Sequence, residues 1–160
     1  MNATRIRVAA AIAVVLLAGA VAPAALAAPR IEKRPDGVSI VHLTQTPCVF
    51  VESEADPKAY TSTRKEECEA INRETAGKRT FETLTLPPGE YIFRVTNRNV
   101  PYELGFWVRG QGVGRVTLPS VSGGGLVTGK TQDYRIKLIA GEYYYSCPLN
   151  PTPDYTLRVR

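Results

Sequence analysis

The residues able to carry chemistry are few: Cys48, Cys68 and Cys147, one histidine, His42, and a single methionine, Met1. Cys147 is the best placed of them. It closes the run Gly141 to Cys147 and opens a loop in which Pro148, Pro151 and Pro153 fix backbone angles and remove donors, so Leu149 to Asp154 cannot extend a ladder. Its thiol has three open uses: a small buried hydrophobe, a soft ligand suited to Cu(I), or a redox or docking thiol that needs exposure and a lowered pKa. An internal disulfide is a fourth. The odd cysteine count leaves at least one sulfur outside any internal pair. Cys48 and Cys68 flank a polar stretch, Glu52 to Glu67, that is poor in core-forming side chains, and a bridge closing that loop adds most there. The expected disulfide is Cys48 to Cys68, with pairings through Cys147 as the alternatives.

Other chemistries find less support. His42 falls on a strand, on the face shared with Val38 and Ile40, where a histidine is packed and hydrogen-bonded more often than it holds a metal. A Ser–His–acid arrangement would require His42 to meet Ser120 or Ser122 and a carboxylate, which the sequence does not specify. Glu82, Glu90, Glu103 and Asp133 belong to strand faces or turns and form no opposed pair. Gly124 to Thr131 satisfies the phosphate-loop pattern of two glycines with four residues between them followed by Lys and Thr. That pattern binds phosphate only where a helix N-terminus follows. Here Tyr134, Ile136 and Leu138 alternate with Arg135 and Lys137, so a strand follows, and Ser120 to Gly129 is expected as a surface loop. No catalytic residue emerges, and the chain is not expected to be an enzyme.

The frame that positions Cys147 is strand-rich. Arg5 and Arg7 precede an apolar run from Val8 to Ala20, and Ala25-Leu26-Ala27 supplies small residues for a signal peptidase. Residues 1–27 therefore read as a secretory signal peptide, and 28–160 as a single mature domain. The apolar run is short for a membrane span and Pro23 breaks it, so no stable membrane insertion is expected after cleavage. Loss of Arg5 and Arg7 lowers Lys plus Arg from 20 to 18 against 15 acidic residues, a net charge of +3. With no basic run interleaved with aromatics, nucleic acid is not an expected partner.

Strands are expected at Val38–Leu43, Thr80–Leu86, Glu90–Asn97, Glu103–Arg109, Gly112–Leu118 and Tyr134–Ile139, followed by a terminal pair around the Cys147 loop. A helical turn is expected over Lys65–Arg73, closed by Gly77. On the last two strands Tyr143, Tyr145 and Cys147 share one face, as do Tyr155, Leu157 and Val159. The spacing with Gly and Pro turns, such as Pro87-Pro88-Gly89, points to an antiparallel sandwich.

Two segments carry a family resemblance. Thr96-Asn97-Arg98-Asn99-Val100-Pro101-Tyr102, leading into the alternating Glu103 to Arg109, and Gly141 to Cys147 with its proline loop resemble the ligand-bearing parts of cupredoxins of the plastocyanin and azurin type. The resemblance spans Leu84 to Val159. It implies an all-β, cupredoxin-like Greek-key sandwich in which Cys48–Cys68 staples a short helical insertion. It also implies that Cys147 holds the place of the copper thiolate, Tyr102 that of the first ligand histidine and Asn150 that of the second. The axial methionine would fall between Pro153 and Tyr155. A blue-copper centre needs two imidazoles and a thiolate, and the mature chain has one histidine and no methionine, so one chain cannot build it.

The function implied is that of an exported, periplasmic or secreted, cupredoxin-like protein without a type 1 copper site. It is expected to be a non-catalytic binding or accessory module with no cofactor. Its contact surface would be Tyr102, Trp107, Pro151 and Pro153, and its partner an unidentified protein. The alternative is copper handling through Cys147, with Tyr102 and Asn150 beside it.

Overall fold

The computed structural model describes residues 28–160; the expected signal peptide lies outside the described residues. Ten strands form two facing sheets. The first contains β1 (Arg30–Lys33), β2 (Ser39–Thr46), β5 (Gly89–Asn97) and β8 (Thr131–Leu138) in that order, with the short β3 (Val49–Phe50) paired to β2. The second runs β4 (Leu84–Leu86), β10 (Tyr155–Val159), β9 (Gly141–Ser146), β6 (Leu104–Gly110) and β7 (Val121–Leu126). The expected cupredoxin-like sandwich is present, but it is not purely antiparallel. β2 pairs with β5, and β4 with β10, in parallel.

Period-two alternation builds the core. Tyr91, Phe93 and Val95 of β5, Leu104, Phe106 and Val108 of β6, and Tyr143 and Tyr145 of β9 all point inward and are buried. Phe50, Tyr145 and Tyr155 meet at ring-centroid distances of 5.5–5.8 Å, and Phe106 lies 5.3 Å from Phe93. Burying each such ring contributes on the order of 2–3 kcal/mol. The outer face of the first sheet buries only the small cluster Val38, Ile40 and Ile92.

Between β3 and β4 the chain leaves the sandwich and returns. This insertion holds α1 (Lys65–Glu74), with Glu66 and Glu67 in its first turn and Arg73 in its last, each placed favourably along the helix dipole. The Thr75 amide donates to the Ile71 carbonyl, and Gly77 turns the chain away at φ +72°. The disulfide Cys48–Cys68 ties the helix to the end of β2, as expected.

Two expectations about secondary structure are corrected. Gly112–Leu118 is a short helix, α2 (Gly114–Thr117), because Gly112 reverses the chain at φ +52° and the Leu118 amide reaches the Gly114 carbonyl at 2.9 Å. Val113 and Val116 are 87% and 89% exposed, with no sheet face to pack on. Ser120–Gly129 is not a loop throughout, since it contains edge strand β7. Gly123 is there for contact, since a Cβ on it would sit 3.0 Å from the Tyr134 ring, and Gly125 for its backbone, at φ +83°. The true turn is at 127–130, and β8 follows it antiparallel to β5, so the phosphate-loop pattern meets no helix N-terminus.

Candidate functional site

β9 delivers Cys147 to one end of the sandwich, where it is 1% exposed and unpaired. Its loop folds back on it. The Cys147 amide donates to Thr152 Oγ1 at 3.0 Å, the Thr152 amide to the Cys147 carbonyl at 3.3 Å, and the Asn150 amide to Cys147 Sγ at 3.2 Å. A second amide, from Gly105, reaches Sγ at 3.3 Å. Burial pushes the thiol's pKa up, while these amides pull the other way.

Gly105 is required for this approach. β6 bulges between Leu104 and Phe106, and a Cβ at Gly105 would lie 2.5 Å from the Gly123 carbonyl oxygen.

Asn150 is the hub. Its side chain is fully buried, and Oδ1 accepts from the Cys48 amide at 2.9 Å and the Tyr102 hydroxyl at 3.1 Å. Nδ2 donates to the Thr46 carbonyl at 3.0 Å and reaches Gln45 Oε1 at 3.5 Å. The disulfide rests on the same group: Cys68 Sγ is 3.2 Å from Asn150 Oδ1, an S···O contact, because a disulfide sulfur carries no proton. Tyr102 also meets Ser62 Oγ at 3.0 Å and Cys68 Sγ at 3.6 Å. Burial raises its pKa, opposed by the Ser62 contact.

Cys147, Asn150 and Tyr102 are thus brought together, with the insertion laid over them. Pro151 is drawn in as well, its carbonyl accepting from Asn72 Nδ2 of α1 at 2.8 Å. Trp107 lies elsewhere, half-buried on the outer face of β6, with the Arg109 guanidinium 4.2 Å and that of Arg115 5.7 Å from its ring. Arg109 in turn donates to Asp154 at 2.6 Å, next to Pro153, which links Trp107 to the far side of the same loop. His42 is remote from this cluster in role, held on the outer face of β2 between Arg30 and Glu32.

Three further residues position the site. Asn97 is fully buried; its Oδ1 accepts from the Val100 amide, and its Nδ2 reaches the Val100, Tyr102 and Leu126 carbonyls at 3.2–3.4 Å, shaping the loop that presents Tyr102. Gln45 donates to the Gly105 carbonyl at 2.8 Å and so holds the bulge below Cys147. Thr152 closes the loop. The Tyr134 hydroxyl is buried without a hydrogen-bond partner among the described residues, and its pKa is pushed up to about 12 by burial, with the Cys147 charge adding to it.

The cupredoxin ligand set does not fit these residues. Tyr102 and Asn150, which the sequence resemblance puts in the places of the two imidazoles, have their polar atoms engaged with each other and with the disulfide region. Among the described residues no group of three or more His, Cys, Asp or Glu is placed to hold a metal. Two solved structures are similar to this chain. A rusticyanin variant with a histidine-to-methionine substitution has 14% identity and a TM-score of 0.42 over 84% of this chain and 88% of that one. Reduced rusticyanin has 17% identity and a TM-score of 0.41 over 84% and 91%. The likeness is one of fold. No family model and no curated protein matches the chain.

Burial makes a prediction about Cys147. At pH 8, iodoacetamide labels it in the native protein about a hundredfold or more slowly than in guanidinium, because reaction waits on local opening and the thiol keeps its proton. The sign follows from a folded value above the unfolded one near 8.5. The stability this site contributes is full below the unfolded value and declines as pH rises towards the folded one. Equal labelling rates, read by mass, would show the site to be open.

Proposed function

We propose that this chain is an exported, non-catalytic binding or accessory module in which the ligand-bearing end of a cupredoxin-like sandwich serves as a contact surface. The observation that carries this reading is the closure of that end by Asn150. Its amide group satisfies the Cys48 amide, the Thr46 carbonyl and the Tyr102 hydroxyl at once, so the polar atoms that would face a metal are turned to holding the loops. What remains outward is rigid: the half-buried Pro151 and Pro153, exposed Leu149, and Trp107 braced by Arg109. Little backbone or rotamer freedom is lost when such a surface binds, which favours a partner protein over a substrate in need of a cleft. Export is supported by Arg5 and Arg7, the apolar run and Ala25-Leu26-Ala27, and the disulfide suits an oxidising compartment. No helix among the described residues is long and apolar enough to cross a membrane.

The competing reading, copper handling through Cys147, draws on the two amides aimed at Sγ, an arrangement that favours a thiolate. Metal analysis of the protein purified from its export compartment, run beside Cys147→Ser, separates the two. The expected result is no stoichiometric copper in either. Copper near one atom per chain that disappears in the variant would replace the binding-module reading with the copper reading.

A further inference from the structure

Beside the Asn150 cluster lies a groove of about 510 Å³, a volume within the range of ligand sites, whose walls include Pro47, Tyr60 and Pro101. One wall is the insertion segment from Pro57 to Ser62. This stretch is irregular, and its backbone takes part in no backbone–backbone hydrogen bond among the described residues. The opposite wall is the β5–β6 turn, where Asn99 adopts φ +66° and so presents Arg98 at the rim. Arg98 is exposed and forms no ion pair among the described residues. Lys58 also lines the groove, paired with Asp56 outside it, and no lining residue is acidic.

Resting on the binding-module reading, we propose that this groove receives an extended, acidic segment of a partner protein. The segment's main chain would lie along Pro57 to Ser62 in the manner of an added strand, and a carboxylate would meet the Arg98 guanidinium. Unpaired main-chain groups supply the affinity of such a contact, and an arginine without a carboxylate partner selects the charge, since its planar fork matches a carboxylate in two bonds. The three prolines and Tyr60 hold the walls in place before binding.

The test is selection of a random decapeptide library, displayed on phage, against the mature protein. Enriched peptides are expected to share an Asp or Glu within a run of strand-forming residues. Their synthetic, fluorescein-labelled versions should lose more than about tenfold in affinity on Arg98→Glu, and comparably when the peptide backbone is N-methylated at alternate residues. Arg98 is exposed, so the variant keeps the fold, which circular dichroism checks. Enriched peptides without an acidic residue, or binding unchanged by Arg98→Glu, overturn the groove assignment. The wider reading is tested apart from it. A partner captured by the mature protein, sensitive to Trp107→Ala and indifferent to Arg98→Glu, retains the module and removes the groove. Stoichiometric copper dependent on Cys147 removes the module itself.

Discussion

Glu54→Ala is expected to lower the stability of the mature chain by about 3–5 kcal/mol, measured as a shift in the urea unfolding midpoint. Glu54 and Arg79 form an ion pair whose side chains are 1% and 6% exposed. Such a pair is costly to desolvate, and its net contribution is small while both members are present. Removal of one member is different, because the other stays buried and uncompensated. Arg79 would keep Asn72 Oδ1 at 2.8 Å, the Cys48 carbonyl at 3.3 Å, the Tyr155 hydroxyl at 3.4 Å and the rings of Tyr60 and Phe81 at 5.4 and 5.7 Å, but no carboxylate. The Tyr155 hydroxyl would lose its 2.6 Å bond to Glu54 as well. Since these contacts clamp the insertion to the sandwich, early proteolysis within 55–80 should accompany the loss. The paired replacement Glu54→Leu with Arg79→Met should cost much less than Glu54→Ala alone. An unchanged midpoint for Glu54→Ala would mean that the guanidinium reaches water and the clamp does not exist.

The strands were legible wherever one face meets the core. Tyr91, Phe93 and Val95, or Tyr155, Leu157 and Val159, advertise their inward face because alternation is all that a half-buried strand needs. β7 was not legible, since Ser122 to Gly125 hold no apolar side chain to show a period, and the reason for Gly123 is a contact with Tyr134 and the Gly105 bulge that only the folded chain contains. The same holds for parallel pairing: nothing local in β2 or β4 says which strand will lie beside it. At the site, Cys147, Tyr102 and Asn150 were found by resemblance and do converge. Gln45 was silent and Asn97 was only part of the resembling segment, because a buried amide is defined by the carbonyls it meets, and those of Gly105 and Leu126 arrive from strands far along the chain. Trp107 was grouped with Tyr102 from aromatic character alone. The fold sets them on different sides of the loop and connects Trp107 to it through Arg109 and Asp154.

Asn150→Ala should cost about 3 kcal/mol or more, because it strands the Cys48 amide, the Thr46 carbonyl and the Tyr102 hydroxyl at a fully buried position, and each unsatisfied group carries about 1–3 kcal/mol. Size alone would not separate hydrogen bonding from cavity formation, so the informative comparison is Asn150→Asp, which keeps the volume. Its second oxygen would face the Thr46 carbonyl and Gln45 Oε1 where a donor now stands, and its charge would be buried. The folded carboxyl would then titrate above its unfolded value near 4, holding its proton to restore a donor. By linkage the penalty is full at neutral pH and shrinks as pH falls through the raised folded value, so the two proteins should converge in stability on acidification. Urea midpoints for parent and Asn150→Asp between neutral pH and the carboxylate range measure this directly. A penalty independent of pH would place the side chain in contact with water and leave this end of the sandwich open.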